Sequence, residues 1–202
     1  MSTLKLEKIT GQEGLGGTAS PITFSGDTAT ITAGGTFSGA ISQPYQYFCQ
    51  LQLQDNITVG SSETLVTNWE EPTINSNIGT AVAEDSTDSG IFQFPATGKW
   101  WVEFRPMFYV NNNARWIESK IHRVISGTST SLIRSYCHIT HTDSDNTYQT
   151  DVLGIIFDCT NTSTDKVKFT FNRTGGGTLY SLGTTGNQAE SVALFYRIGD
   201  ST

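Results

Sequence analysis

The stretch Gly90-Ile91-Phe92-Gln93-Phe94-Pro95-Ala96-Thr97-Gly98-Lys99-Trp100-Trp101-Val102-Glu103-Phe104 decides how the chain is read. Ile91 to Phe94 is a short apolar run that Pro95 ends, because proline offers no N–H to continue a ladder. Thr97-Gly98 is a turn signal. From Lys99 the residues alternate, so that Trp100, Val102 and Phe104 share one face of a strand and Trp101 points to the other. Two strands joined by a tight turn, the second with a large aromatic on each face, predict packed antiparallel sheet.

The same pattern recurs on both sides. Gln50 to Gln54 alternates, with Leu51 and Leu53 on one face. Arg115 to Ile125 and Ser131 to Thr142 read as two more strands. Leu153-Gly154-Ile155-Ile156-Phe157-Asp158-Cys159 is apolar on both faces, which predicts a central strand covered on both sides. Lys166 to Asn172 alternates cleanly, and Ser191 to Ile198 closes the series. No window has the i, i+3, i+4, i+7 spacing of a helix. Many short strands separated by loops predict an all-β antiparallel sandwich over 45–202.

Residues 1–44 differ in kind. They hold eight glycines and no Lys or Arg beyond Lys8. Ile22–Phe24 and Thr28–Ala33 alternate briefly, but large apolar residues are too few to form a core. The segment reads as a β-rich extended arm that packs on a partner through Ile9, Leu15, Ile22, Phe24, Ile31 and Phe37.

Composition narrows the function classes. Of 202 residues, 15% are charged and the net charge is -7. An acidic surface repels phosphate backbones and anionic lipids, so neither nucleic acid nor membrane is expected as a partner. Polarity comes mainly from Ser, Thr, Asn and Gln, whose desolvation costs less than that of charges, as suits contact surfaces. No stretch approaches 18 apolar residues, and the N-terminus has no apolar run of the signal-peptide kind, so synthesis in a cytoplasm is expected. Cys49, Cys137 and Cys159 are odd in number and lack metal spacing, as for reduced thiols.

No assembled active site is legible. His138 and His141 stand at i and i+3, on opposite faces of a strand. Cys137 and His138 also face apart, so they make no nucleophile–base pair. Asp143-Ser144-Asp145-Asn146 offers hard oxygens but lacks the Gly and distant Glu of a calcium loop. Gly175-Gly176-Gly177 precedes a strand-like segment, where phosphate cradling needs a helix. There is no Gly-x-Ser-x-Gly elbow, and Glu70-Glu71 and Glu84-Asp85 flank polar links. The expectation is no catalysis, no cofactor and no metal site. Trp69, Trp100, Trp101 and Trp116 remain as candidates for core, interface or sugar stacking.

The order of these elements, with the strand ending at Pro95, the Thr97-Gly98 turn and the aromatic alternating strand after it, resembles the tumour-necrosis-factor-like jelly roll in its complement-type branch. The resemblance covers roughly 45–199. Leu65-Val66-Thr67-Asn68-Trp69 stands where that family has a short strand ending in Asn. It implies a non-enzymatic homotrimer packed about a three-fold axis by aromatic and aliphatic residues, with Trp101 and Phe108 as candidates for that interface. With the Gly/Thr-rich arm, the chain looks like virion proteins of tailed bacteriophages. The implied role is a capsid decoration or cement protein, bound to itself and to the major capsid protein. The alternative is a tail-fibre or receptor-binding head, bound to tail proteins and recognising a host-surface glycan or protein.

Overall fold

The computed structural model describes residues 22–25, 28–31, 47–72, 77–110, 114–140, 147–175, 178–184 and 189–202, and none of these is helical. The chain divides into two units, Met1–Ser42 and Gln43–Thr202. In the first, β1 (Ile22–Ser25) pairs antiparallel with β2 (Thr28–Ile31), with Ile22 opposite Ile31 and Phe24 opposite Ala29. The period of two places those four positions on one face of the ribbon. Ile9, Leu15 and Phe37 lie outside the described residues.

The second unit runs β3 (Phe48–Leu53), β4 (Ile57–Thr58), β5 (Thr64–Leu65), β6 (Trp69–Glu70), β7 (Ala83–Glu84), β8 (Ile91–Gln93), β9 (Gly98–Arg105), β10 (Met107–Val110), β11 (Ala114–Ile125), β12 (Thr128–Ile139), β13 (Thr147–Thr150), β14 (Leu153–Cys159), β15 (Asp165–Gly175), β16 (Leu179–Ser181) and β17 (Val192–Gly199). A five-stranded sheet has the order β14-β9-β17-β3-β6. A six-stranded sheet has the order β12-β11-β15-β8-β7, with β5 also on β15. A smaller sheet, β13-β10-β16-β4, continues beyond Pro106. All pairings are antiparallel, and neighbours in a sheet are mostly distant in sequence, as in a jelly roll. The β11–β12 hairpin turns through Ser126 (φ 49°) and Gly127 (φ 82°), the left-handed pair that matches the twist of the flanking strands.

The core lies between the two large sheets. Trp100, Val102 and Phe104 are wholly buried, as the alternation of β9 predicts. Phe104 stacks on Phe169 at 4.6 Å, and Phe94 on Phe157 at 5.1 Å. Trp69 sits edge-on to Phe92 and Phe104, while its Nε1–H donates to the Val66 carbonyl at 3.1 Å. That bond spans Asn68, whose left-handed φ of 64° is tolerated better by Asn than by most residues.

Two expectations fail. The doubly apolar β14 is not central but the edge strand of its sheet. On its outward side the Trp101 indole lies against Gly154, while Ile156 is 56% exposed. Phe108 is wholly buried, edge-on to Phe171 at 5.2 Å, so its ring has no surface to present to another subunit. Even-numbered residues of β9 and β10 face inward, and Phe108 has the same parity as Phe104.

Candidate functional site

The outward side of the five-stranded sheet carries a row of apolar side chains. Cross-strand register sets Ile156 opposite Trp101, Trp101 opposite Tyr196, and Tyr196 opposite Phe48. Phe48 in turn bridges to Ile78, which is 50% exposed. The Phe48 and Tyr196 rings lie 4.8 Å apart. Directly opposed residues in a sheet have neighbouring Cβ atoms, so these positions form one row across the strands.

A second row crosses the smaller sheet. Tyr109 stands opposite both Tyr148 and Tyr180, with ring centroids 5.6 and 5.7 Å away. The outward parity of Trp101, Glu103 and Arg105 carries on through Met107 to Tyr109. Between the rows, Trp101 Nε1–H donates to Glu103 Oε2 at 2.9 Å, and Arg105 pairs with the other oxygen of the same carboxylate. Gln52 Nε2 donates to Glu70 Oε1 at 2.8 Å.

Ile78, Tyr148, Val152 and Ile156 are four of the six large hydrophobics that stand exposed among the described residues of this unit. Three of them, Ile78, Tyr148 and Ile156, stand in the two rows, as apolar side chains do at contact surfaces. Trp101 belongs to the first row. Sequence reasoning missed the tyrosine row and Ile156. The Ile155-Ile156 pair on both faces of β14 was the available signal.

The other candidates take structural places. His138 is exposed, with Thr140 Oγ1 3.2 Å from its Nδ1; His141, Asp143, Asp145 and Gly176-Gly177 lie outside the described residues. All three cysteines are free. Burial, with Asp151 adding to it, pushes the Cys137 thiol up to about 12, and burial takes Cys49 and Cys159 to about 11. Thiols so rarely ionised make poor nucleophiles. Glu84 accepts the Gly90 N–H at 3.0 Å, and Asp85 pairs with Lys166. No three His, Cys, Asp or Glu side chains cluster to hold a metal among the described residues.

The fold has known counterparts. Murine APRIL superposes with a TM-score of 0.51 at 14% identity, covering 75% of this chain and 98% of that one. Eiger TNF from S. frugiperda gives 0.51 at 14%, covering 77% and 96%. The second unit is therefore a TNF-like jelly roll. No sequence-family model matches the chain. No curated protein sequence matches it either.

Proposed function

We propose that the chain is a non-enzymatic structural protein of a tailed-phage particle, a homotrimer that decorates the capsid and is held there by its 1–44 arm. The observation that carries the self-association is the row Ile156–Trp101–Tyr196–Phe48–Ile78, continued by the tyrosines. A sheet face of this kind is hidden economically in a closed symmetric ring, in which each copy uses the same surface. The TNF-like fold supports the number three. The Gly-rich arm supports attachment: a two-stranded ribbon of four-residue strands is marginal by itself. The low charge and high hydroxyl content suit a protein in contact with others over much of its surface.

Electron microscopy of source particles with the protein immunolabelled tests the location. Label clustered over the shell supports decoration. Label confined to the tail assigns the chain to a fibre or receptor-binding head. Absence from particles ends both readings. Sedimentation of the purified chain tests the trimer separately, and a monomer at micromolar concentration refutes it.

A further inference from the structure

The outward side of the six-stranded sheet has a different character. Register places Tyr136, Glu118 and Asn172 in one row across β12, β11 and β15, with Arg134 and Lys120 opposed in the next. Trp116, two residues before Glu118 on β11, stands edge-on to the Tyr136 ring at 5.5 Å. The Arg134 guanidinium lies over the same ring, 5.5 Å from its centroid. Tyr136 is 52% exposed. Beside it Glu118 is 4% exposed, and its carboxylate is paired with Lys120 at 2.9 Å and Arg134 at 3.7 Å. The Asn172 amide oxygen is shielded from water and has no hydrogen-bond partner.

From this cluster we infer that the outward face around Tyr136 and Trp116 is a binding site for neutral saccharides. Three features favour that class. First, the exposed Tyr136 ring beside half-buried Trp116 gives a sugar ring's C–H face something to stack on, with a small number of polar groups around it. Second, a guanidinium stands beside the ring: Arg134 lies over Tyr136 and 3.7 Å from Glu118, with its side chain 63% exposed, so guanidinium donors remain for hydroxyl oxygens. Third, the charges cancel. Glu63 and Glu118 are matched by Lys120 and Arg134 through contacts of 2.9 to 3.7 Å. An anionic ligand would have to pull Arg134 from Glu118 and approach a protein of net charge -7. A neutral polyol disturbs neither balance. This face lies on the opposite side of the sandwich from the apolar rows, and its argument does not depend on the trimer or the phage particle.

Titration calorimetry of the full chain with maltohexaose, mannohexaose and a neutral galactan, beside polygalacturonate as an acidic comparator, tests the site. At least one neutral probe should bind and the acidic one should not. Tyr136→Ala and Arg134→Ala should each weaken binding about tenfold or more, as loss of a stacking ring or its fixed cation implies. Tyr136→Phe, which keeps the ring, should retain more affinity than Tyr136→Ala. Near-ultraviolet circular dichroism confirms that each variant is folded. Failure of every neutral probe to bind, preference for polygalacturonate, or unchanged affinity in folded Tyr136→Ala overturns the proposal. So does loss of binding in Ile156→Glu with retention in Tyr136→Ala, since that places the ligand on the other face.

Discussion

The indole of Trp101 lies directly over Gly154 on the neighbouring strand: a Cβ at position 154 would come within 2.3 Å of Trp101 Cζ2. Glycine is required there by the close approach of the ring. The Gly154→Ala variant must swing the indole off β14, losing its contact and its bond to Glu103. The expected cost is about 1–3 kcal/mol, the range for overpacking. In Trp101→Ala the added methyl meets no ring, so the two substitutions should be non-additive in chemical denaturation. Additive effects would mean the ring rests elsewhere.

Ile156 is 56% exposed and faces away from the core, so Ile156→Glu should change the stability of the single chain by only about 0.5 kcal/mol or less. Its effect on association should be large, because an unpaired carboxylate buried in an apolar interface is costly to desolvate. Sedimentation velocity should show the variant as monomer where the wild type is trimer. A variant that assembles like the wild type would place the subunit contact on another face.

The fold was legible because its strands carry their own parity. Trp100, Val102 and Phe104 announced an inward face, and Pro95 and Thr97-Gly98 marked where the chain turns back. The position of a strand within its sheet was not legible. Ile155 and Ile156 on opposite faces of β14 are what a buried central strand would show, and also what an edge strand shows when its outer side is reserved for another chain. Phe108 failed for a related reason. Beyond Pro106 a residue's face depends on whether the parity of β9 survives the proline, and it does, which turns Phe108 inward and Tyr109 outward. The tyrosine row was invisible because Tyr109, Tyr148 and Tyr180 come together only through pairings between distant strands.

Asp165 organises the turn before β15. Its carboxylate accepts the Thr160 and Asn161 amides at 2.8 and 2.9 Å and the Thr160 hydroxyl at 2.9 Å. Burial pulls its pKa up, but these donors together outweigh it and hold the group below the usual carboxylate value. A lowered folded pKa adds stability that is complete above the unfolded pKa and is lost as pH falls through the folded one. Asp165→Ala should cost about 1–3 kcal/mol by stranding two amides, and the loss should be seen at neutral pH. Equal stability of variant and wild type near pH 7 would show that water replaces the carboxylate.

His122 works in the opposite chemical sense. It is 6% exposed, with Thr170 Oγ1 2.8 Å from Nε2 and Ser129 Oγ 3.3 Å from Nδ1. Burial lowers its pKa, more than the facing Glu63 and Glu118 raise it, while Lys168 and Lys120 add to the lowering. The folded chain therefore holds this imidazole neutral. Below about 6.5, the ordinary histidine value, the unfolded chain takes up a proton that the folded chain refuses, so stability falls as pH falls there and levels off beneath the folded pKa. Urea midpoints measured from pH 8 to pH 5 should decline less steeply in His122→Gln than in the wild type. Parallel curves would show that the imidazole is protonated in both states.

The last prediction concerns the arm. Two four-residue strands make a ribbon that is marginal by itself in water. Its register gathers Ile22, Phe24, Ala29 and Ile31 at positions on one face. Ordering such a segment costs about 1–2 kcal/mol per residue in backbone entropy. A partner must offset that with main-chain bonds along the strand edges, in the way that strands add to an exposed sheet. An edge left unpaired in solution is also an aggregation hazard, which favours an arrangement in which pairing occurs on assembly. Deleting residues 1–40 should therefore leave a soluble, folded trimer that no longer joins particles in a reconstitution assay. Limited proteolysis of the intact free chain should cut first between residues 10 and 40. A truncated head that incorporates as well as the whole chain would move the attachment surface onto the jelly roll. Complete resistance to protease would mean that the arm is already docked within its own trimer.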